Sequence, residues 1–388
     1  MRQVVSKQIE NRYPDITNKS FNTLLIDGSN VLEMCSLANK TLSSNGKRVG
    51  GIFSMLLQLK LLMRKGNFRY VYVFWDGENS GFYRYILNND YKSNRDKTYE
   101  NEVEEGLSEY MKEFNANLKR IQKYIRDKDK ARSDEKKKEK EIFYEQREVV
   151  MACLEELFVR QCIADKVEAD DFIGYYVVNK KPNERIVIVS NDRDLTQLIS
   201  EDVIVFIPSL KKFINTKNHT EEMGYDYRNV LLKKVICGDT SDSIKGIKGV
   251  GETTLFKNFP EFKERKVELN EVIEKAKLIN DERAKEKKKP LKWAENIVNR
   301  VTDGCQGDKI YEINEKIINL RKPILTEEAR EIIDNMRYTP LDPEDRSFEN
   351  LYKILKEAGV DDLKDENRFA SFFTEYAYLI DAEKKNNC

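Results

Sequence analysis

The chain has 388 residues, and its 68 basic and 68 acidic side chains give a formal net charge of zero. No apolar run approaches the ~20 residues of a membrane span, and the first residues lack the apolar segment of a secretory signal, so we expect a cytoplasmic protein without a membrane partner. Six cysteines without a CxxC pair and a single histidine, His219, argue against a disulfide scaffold, a cysteine-based zinc site and histidine-dependent catalysis.

Four short runs of β-branched and aromatic residues predict strands. They lack the polar alternation of half-exposed strands, which is typical of a parallel sheet buried on both faces. The runs are residues 23–26 (TLLI), 70–75 (YVYVFW), 185–189 (RIVIV) and 203–207 (VIVFI). Because stretches with helical spacing separate them, the sequence predicts an α/β domain over residues 21–230 with a central, mainly parallel sheet flanked by helices. We expect residues 1–20 to be an N-terminal extension of this domain.

Two further segments are rich in charge. Residues 98–140 are polar and helix-prone, so we expect a helical loop that projects from the sheet. After residue 230 the strand signal fades, which predicts a helical C-terminal domain over residues 231–388. It contains a second basic run at residues 283–292 (RAKEKKKPLK), for which a solvated surface is the simplest interpretation. We expect His219 on the surface, without a chemical role.

Each of the first three predicted strands ends in an aspartate. These are Asp27, Asp76 and Asp192, with Asp194 two residues later. The carboxyl ends of parallel strands meet at one edge of a sheet, so these side chains should converge there. One such aspartate is usually a turn residue or a helix cap, but two more acidic clusters join the group. They comprise Glu168, Asp170 and Asp171 at the start of a helix, and Asp239 and Asp242 after the sheet domain.

So many carboxylates in one place raise each other's pKa and destabilise a fold unless cations neutralise them. Oxygen ligands without histidine or cysteine select Mg²⁺ or Mn²⁺, and the number of carboxylates suits two or more ions. Paired ions stabilise both the attacking and the leaving oxygen of a phosphoryl displacement. The sequence therefore predicts metal-dependent phosphodiester hydrolysis.

The order of these motifs resembles a known family. LLIDGSN, VFWD, VEADDFIG, VSNDRDLTQL and CGDTSDSIKGIKGVGETT are similar to the motifs of the 5′-nuclease superfamily of flap endonucleases and 5′→3′ exonucleases. Within it, FWDGENSGFYRYILNNDYKSNRDK and IPSLKKFINTK resemble the ribonuclease H group of T-even phages. The resemblance implies a PIN-like nuclease domain, a helical arch over about residues 92–145 and a C-terminal helix-three-turn-helix domain. For a phage protein, the expected location is the host cytoplasm.

The resemblance also implies roles for particular residues. The nine carboxylates above match the metal ligands of the family, with Asp239 and Asp242 as the pair contributed by the helical domain. Lys92 and Arg95 match the YKxxR element, whose cations contact the scissile phosphate and stabilise the transition state. The helix-three-turn-helix element binds duplex phosphates, and in the family it also holds K⁺. Its matching residues here are Lys245, Gly246, Lys248, Gly249 and Gly251.

The function implied is that of a monomeric, Mg²⁺-dependent, structure-specific 5′→3′ nuclease that removes RNA primers and flaps during DNA replication. Its partners would be DNA and RNA–DNA duplexes, with a single-strand-binding protein and a sliding clamp as further candidates. Two alternatives remain open. A PIN-type ribonuclease shares the strand-end carboxylates but has no use for the arch or the glycine-rich turn. An inert junction-binding protein on the same fold would be expected to have lost ligands, whereas this chain keeps every matched position.

Overall fold

The computed structural model describes residues 21–92, except 67 and 89, and residues 134–302, 309–342 and 346–379, except 378. The predicted N-terminal extension, most of the predicted arch and Arg95 lie outside these residues. No helix in the described ranges is long and apolar enough to cross a membrane.

A six-stranded sheet forms the centre of the α/β part of the chain. Its strand order is β3-β2-β1-β4-β5-β6, and every neighbouring pair is parallel except β5 and β6. The strands are β1 (Thr23–Asp27), β2 (Tyr70–Phe74), β3 (Arg160–Cys162), β4 (Ile186–Val189), β5 (Val203–Ile207) and β6 (Lys212–Ile214). All four predicted strands are confirmed. The sequence does not predict strand β3, because its three residues, RQC, form no apolar run.

The helices follow the strands in the alternation that the sequence predicts. In chain order they are α1 (Gly28–Ala38), α2 (Gly50–Lys65), α3 (Phe82–Leu87), α4 (Asp134–Glu156), α5 (Ala169–Val178), α6 (His219–Met223), α7 (Val230–Cys237), α8 (Glu252–Asn258), α9 (Leu269–Lys285), α10 (Lys292–Val298), α11 (Ile310–Ile318), α12 (Glu327–Tyr338), α13 (Phe348–Ala358) and α14 (Glu366–Phe373). A two-stranded antiparallel hairpin, β7 (Gly238–Asp239) and β8 (Ile244–Lys245), follows α7.

The chain divides into two compact units, and the division differs from the predicted boundary at residue 230. The described residues of the first unit are 21–78, 134–215 and 325–379, and those of the second are 79–92, 216–302 and 309–324. The last helices belong to the first unit because Leu351, Leu355 and Phe373 are buried in the same core as Leu24 and Val187 of the sheet. The helical domain predicted over residues 231–388 is therefore split between the two units.

The second unit has a smaller core of its own. Side chains of α7, α8, α9 and α10 pack around the segment that follows β8, and Ile247, Val250, Leu255, Val272 and Ile297 are all buried there. The glycine-rich segment is thus held by a hydrophobic core beneath it, and this core fixes the backbone of the turn.

Candidate functional site

Asp27 occupies the carboxyl end of β1 and is only 7% exposed. Its Oδ1 accepts a 3.1 Å hydrogen bond from the backbone N–H of Asn30, which caps α1, and its Oδ2 accepts a 2.9 Å bond from the hydroxyl of Ser190. Burial and the neighbouring Asp76 carboxylate raise the pKa of Asp27 to about 7, and Asp192 adds a smaller increase. The two hydrogen bonds lower this pKa, but they do not offset the increase. The first predicted ligand therefore lies in a site that disfavours negative charge.

Asp76 follows β2 and is held from three sides. Its carboxylate Oδ1 accepts a 2.9 Å bond from the N–H of Ala169, the first residue of α5. Its own N–H donates to the hydroxyl oxygen of Ser29 at 2.9 Å, and its backbone carbonyl accepts from Arg147 of α4 at 3.2 Å. Helix α4 and the start of α5 thus fix the end of β2.

The EADD motif places three carboxylates together at the beginning of α5. One oxygen from each of Glu168, Asp170 and Asp171 lies within 4.8 Å of the others. Glu168 is 3% exposed and Asp171 is 1% exposed. Acidic side chains in the first turn are favourable for a helix, but this effect does not require three carboxylates at such short separation in a buried place.

Asp192 and Asp194 follow β4 at the start of a 3₁₀ turn (Arg193–Leu198). Oδ1 of Asp192 accepts a 2.8 Å bond from the N–H of Asp194, and the N–H of Asp192 donates to the Ser190 hydroxyl at 3.0 Å. Since Asp192 also contributes to the raised pKa of Asp27, the ends of β1, β2 and β4 carry carboxylates that affect one another. The ends of these three strands therefore converge within the first unit, as the sequence predicts.

This arrangement suits a hard divalent cation. The side chains are all oxygen donors, several are buried, and a positive ion would remove the repulsion that raises the pKa of Asp27. Without such an ion, their mutual proximity destabilises the charged state. The donor set therefore fits Mg²⁺ or Mn²⁺, and it lacks the nitrogen and sulfur ligands preferred by zinc.

Sequence reasoning missed the residues that orient these carboxylates. Ser190 is fully buried, and its hydroxyl joins Asp27 to the backbone of Asp192. Its position follows from the sheet register seen in the structure, because Ile26 pairs with Val189 and this places the next residues, Asp27 and Ser190, side by side. Arg147 was missed because no local pattern connects α4 with the residue after β2.

The other two predicted ligands, Asp239 and Asp242, lie in the second unit. Lys234 donates to Oδ2 of Asp239 at 2.5 Å, and the N–H and hydroxyl of Ser241 both donate to its Oδ1. Burial opposes ionisation, but the Lys234 charge and these hydrogen bonds lower the pKa of Asp239 to about 2. Asp239 is therefore ionised at neutral pH. Asp242 is half-buried in the turn between β7 and β8.

Lys92 is linked to that turn. Its N–H donates a 2.6 Å bond to the backbone carbonyl of Asp242, and its ammonium lies 5.1 Å from the centre of the Tyr91 ring. Lys92 has a φ of +48°, a left-handed conformation that an ordinary side chain rarely adopts. The structure thus places Lys92 beside one of the predicted acidic residues of the second unit.

The glycine-rich segment connects the β7–β8 hairpin to α8. Gly246 lies against the backbone of Cys237 and Gly238, so there its missing side chain permits close packing. Gly249 has a φ of +78°, and a Cβ on either Gly249 or Gly251 would point into open space. Helix α7, the β7–β8 hairpin, the glycine-rich turn and α8 follow one another where the resemblance implies a helix-three-turn-helix element, and Lys245 and Lys248 are exposed there.

The surface position expected for His219 is wrong. The side chain is fully buried, its Nδ1 lies 2.8 Å from the carbonyl oxygen of Tyr225, and the rings of Tyr225 and Tyr227 flank it. Burial lowers its pKa, so it packs as a neutral ring. A sequence window of mixed polarity gave no indication of this burial.

Curated relatives match part of the chain. The 5′-3′ exonuclease of Bacillus subtilis is 39% identical over 101 residues, which are 24% of this chain and 33% of that protein. The 5′-3′ exonuclease of Halalkalibacterium halodurans is 35% identical over 116 residues, 29% of this chain and 38% of that protein. The matched segments thus span only about a third of the length of these relatives.

Solved structures match over a longer range at lower identity. The bacteriophage T5 5′-exonuclease with bound zinc covers 87% of this chain and 98% of its own, with a TM-score of 0.55 and 18% identity. The T5 flap endonuclease in a pseudo-enzyme–product complex with DNA and metal ions gives a TM-score of 0.54, 18% identity, and coverage of 87% of this chain and 99% of its own. These likenesses establish a common fold.

The family comparison covers the α/β region and its carboxylates. The family described as 5′-3′ exonuclease, N-terminal resolvase-like domain, matches residues 22–226, more than half of the chain. The matched segment contains all seven carboxylates of the first unit. The chain belongs to this 5′-3′ exonuclease family.

Proposed function

We propose that the protein is a divalent-metal-dependent, structure-specific 5′→3′ nuclease that hydrolyses phosphodiesters at 5′ ends and flaps. The observation that carries this proposal is the group of carboxylates at the ends of β1, β2 and β4 and at the start of α5. Its members are Asp27, Asp76, Glu168, Asp170, Asp171, Asp192 and Asp194. The family match and the T5 fold, solved with metal ions and DNA, support the same function.

Mg²⁺ is the cofactor we propose, with Mn²⁺ as a substitute and with Asp239 and Asp242 as further ligands. A bound pair of divalent ions supplies Lewis acidity and lowers the pKa of a water nucleophile. Two features of the chain make the carboxylates suitable: they are all oxygen donors, and backbone and serine hydrogen bonds fix the positions of Asp27 and Asp76.

Cationic and glycine-rich elements have distinct roles in this proposal. Lys92, with Arg95, stabilises the charge that develops on the scissile phosphate. Lys245, Gly246, Lys248, Gly249 and Gly251 form the surface that binds duplex phosphates, and the same turn is our candidate for a K⁺ site. A Cβ at Gly249 or Gly251 would meet no atom within 4 Å, so a phosphate has room to approach the backbone there.

The biological role we propose is removal of RNA primers and flap DNA during replication by a monomer, in the cytoplasm of the cell or of the phage host. A single-strand-binding protein and a sliding clamp are the expected partners. The substrates are DNA and RNA–DNA duplexes that carry 5′ flaps or primers.

The test uses two 5′-labelled substrates, a flap DNA and an RNA-primed duplex, each incubated with and without Mg²⁺. We expect cleavage of both substrates only with the ion.

The matched control is Asp192→Asn, because an asparagine oxygen still accepts the hydrogen bond from Asp194 while the ligand charge is lost. We expect this variant to lose at least about two orders of magnitude in turnover and to keep junction binding. Cleavage in EDTA at the full rate would contradict the proposal, whereas binding without any cleavage would favour the inert junction-binding protein.

A further inference from the structure

The basic run at residues 283–292 is an ordered turn between α9 and α10. Helix α9 ends in two backbone hydrogen bonds, from the N–H of Lys287 to the carbonyl of Ala284 at 3.0 Å and from Lys288 to Arg283 at 2.8 Å. This pair of bonds is the Schellman helix ending, whose left-handed residue is usually glycine. Here that residue is Lys287, with a φ of +56°. We call residues 286–291 the lysine turn.

Two side chains of α9 fix the rest of the lysine turn. Arg283 donates from Nε to the carbonyl of Lys289 at 2.9 Å. The amide of Asn280 makes both bonds to the backbone of Leu291, accepting from its N–H at 2.8 Å and donating to its carbonyl at 3.3 Å. The backbone is therefore held in place, so a ligand of this surface would not have to order a flexible loop.

The lysine side chains themselves face solvent. Lys285, Lys287, Lys288 and Lys289 are all exposed, and Lys292 follows at the start of α10. Lys288 forms an ion pair with Glu286 at 2.7 Å, but neither Lys287 nor Lys289 forms one with any residue that the structure describes. Residues 283–292 carry six basic side chains and one acidic one, an excess of five positive charges in ten residues.

A role in helix stability accounts for only part of this charge. Cations in the last turn favour a helix through its dipole, which explains Arg283 and Lys285. It does not explain a lysine at the left-handed position, where glycine is the favoured residue, or Lys289 beyond the helix end. Helix stability therefore leaves the charge of these two side chains available to a ligand.

The helices on either side of the lysine turn pack against the same hydrophobic core as the glycine-rich turn. Ala276 of α9 and Ile297 of α10 pack with Ile247 and Val250. Asn296 of α10 donates a 2.8 Å hydrogen bond to the carbonyl of Lys248, and Lys292 is four residues earlier, ~6 Å along the helix axis. A duplex carries one negative charge per ~1.7 Å of its axis. When a duplex is bound at Lys248, its next phosphates therefore lie within reach of a basic surface that is ~6 Å away.

We propose that the lysine turn is a second phosphate-binding site, which extends the duplex contact of the glycine-rich turn along the backbone of the nucleic acid. The inference rests on the proposed nuclease function, since that function brings a duplex to the glycine-rich turn. Lysine ammonium groups on a fixed backbone contact phosphates without reading sequence. The site therefore affects affinity and salt dependence, and it leaves the chemistry unchanged.

The experiment measures the binding of labelled flap DNA between 50 and 200 mM salt, with Ca²⁺ to permit binding without turnover. Two substrates are compared, a flap DNA with a long duplex arm of about two helical turns (~20 base pairs) and a single strand without a duplex arm. The variant is K287G/K289A, in which glycine takes the position that favours it. The matched control is K263A/K277A, which removes two exposed lysines of the same unit without touching the turn.

With the long arm, we expect the slope of log K against log salt to become shallower by about 1–2 units in K287G/K289A, at ~0.9 for each phosphate that the variant no longer neutralises. The single strand and the control variant should keep the wild-type slope, the melting temperature should not fall, and K287R should restore the slope of the K287G single variant. Parallel long-arm slopes for wild type and K287G/K289A, with flap cleavage intact, would overturn the inference alone and would leave an acidic protein as the ligand to examine. A wild-type protein that neither binds nor cleaves the flap would overturn the proposed function as well.

Discussion

Ser190 donates a 2.9 Å hydrogen bond from its hydroxyl to Oδ2 of Asp27, and the Ser190 hydroxyl oxygen accepts a 3.0 Å bond from the N–H of Asp192. One fully buried hydroxyl thus sets the relative positions of two acidic residues from neighbouring strands. Because hydrogen bonding to the charged form favours ionisation, Ser190 also opposes the effect of burial on the pKa of the Asp27 carboxyl.

Ser190→Ala should weaken metal binding more than it weakens the fold. The substitution leaves the Asp192 N–H and one Asp27 oxygen without this partner, a cost of about 1–3 kcal/mol. We expect a higher Mg²⁺ concentration for half-maximal cleavage, with turnover largely recovered at saturating ion. Titration of activity with Mg²⁺, alongside thermal unfolding in EDTA, measures both effects. An unchanged Mg²⁺ requirement would show that Ser190 does not position the carboxylates.

Asp27 should make the metal-free protein less stable as the pH rises. Its pKa is 3.8 ordinarily and about 7 in the fold, so between these values the folded state holds a proton that the unfolded state has released. Stability from this group is therefore lost as pH increases from about 4 to 7, by at most about 4 kcal/mol. In EDTA, Asp27→Asn should be more stable than wild type at pH 8 and similar at pH 4. Equal differences at the two pH values would contradict the assignment.

The sequence predicts the sheet and the aspartates at its strand ends because both depend on short local patterns. Runs such as VIVFI are typical of buried strands, and an aspartate directly after a run of this kind, as in TLLID, lies at the end of the strand. Burial of His219 and the return of Phe373 to the α/β core depend on contacts between distant parts of the chain, which no local pattern encodes. For the same reason the division into units differed from the predicted one.

Lys92→Ala should lower kcat far more than it weakens DNA binding. A cation that acts mainly on the transition state contributes little to ground-state affinity. Lys92→Arg is the control, because it keeps the charge and places a similar side chain at the same positive φ. Single-turnover cleavage and Ca²⁺-supported binding separate the two effects. Loss of affinity with a normal single-turnover rate would make Lys92 a docking residue.

Lys245→Ala with Lys248→Ala should reduce the salt dependence of duplex binding. Removing one lysine–phosphate interaction makes the slope of log K against log salt shallower by ~0.9, so we expect about 1–2 units in total. Lys245 also forms a 3.2 Å ion pair with Asp90, but both side chains are about half exposed, so its loss should matter little for stability. Cleavage of short single strands, which do not reach the turn, should barely change. A double variant with the wild-type slope would show that another surface holds the duplex.

Gly251→Ala tests whether phosphates approach the backbone of the glycine-rich turn. Gly251 has a φ of −93°, which alanine adopts readily, and no atom lies within 4 Å of the Cβ it would gain. The fold should therefore be unaffected, and only a ligand at the N–H groups would meet the new methyl group. We expect several-fold weaker duplex binding with an unchanged melting temperature. Gly249→Ala is the contrasting variant, since at a φ of +78° it strains the backbone and should lower the melting temperature as well. If Gly251→Ala binds duplex as tightly as wild type, the lysines hold the phosphates and the backbone does not.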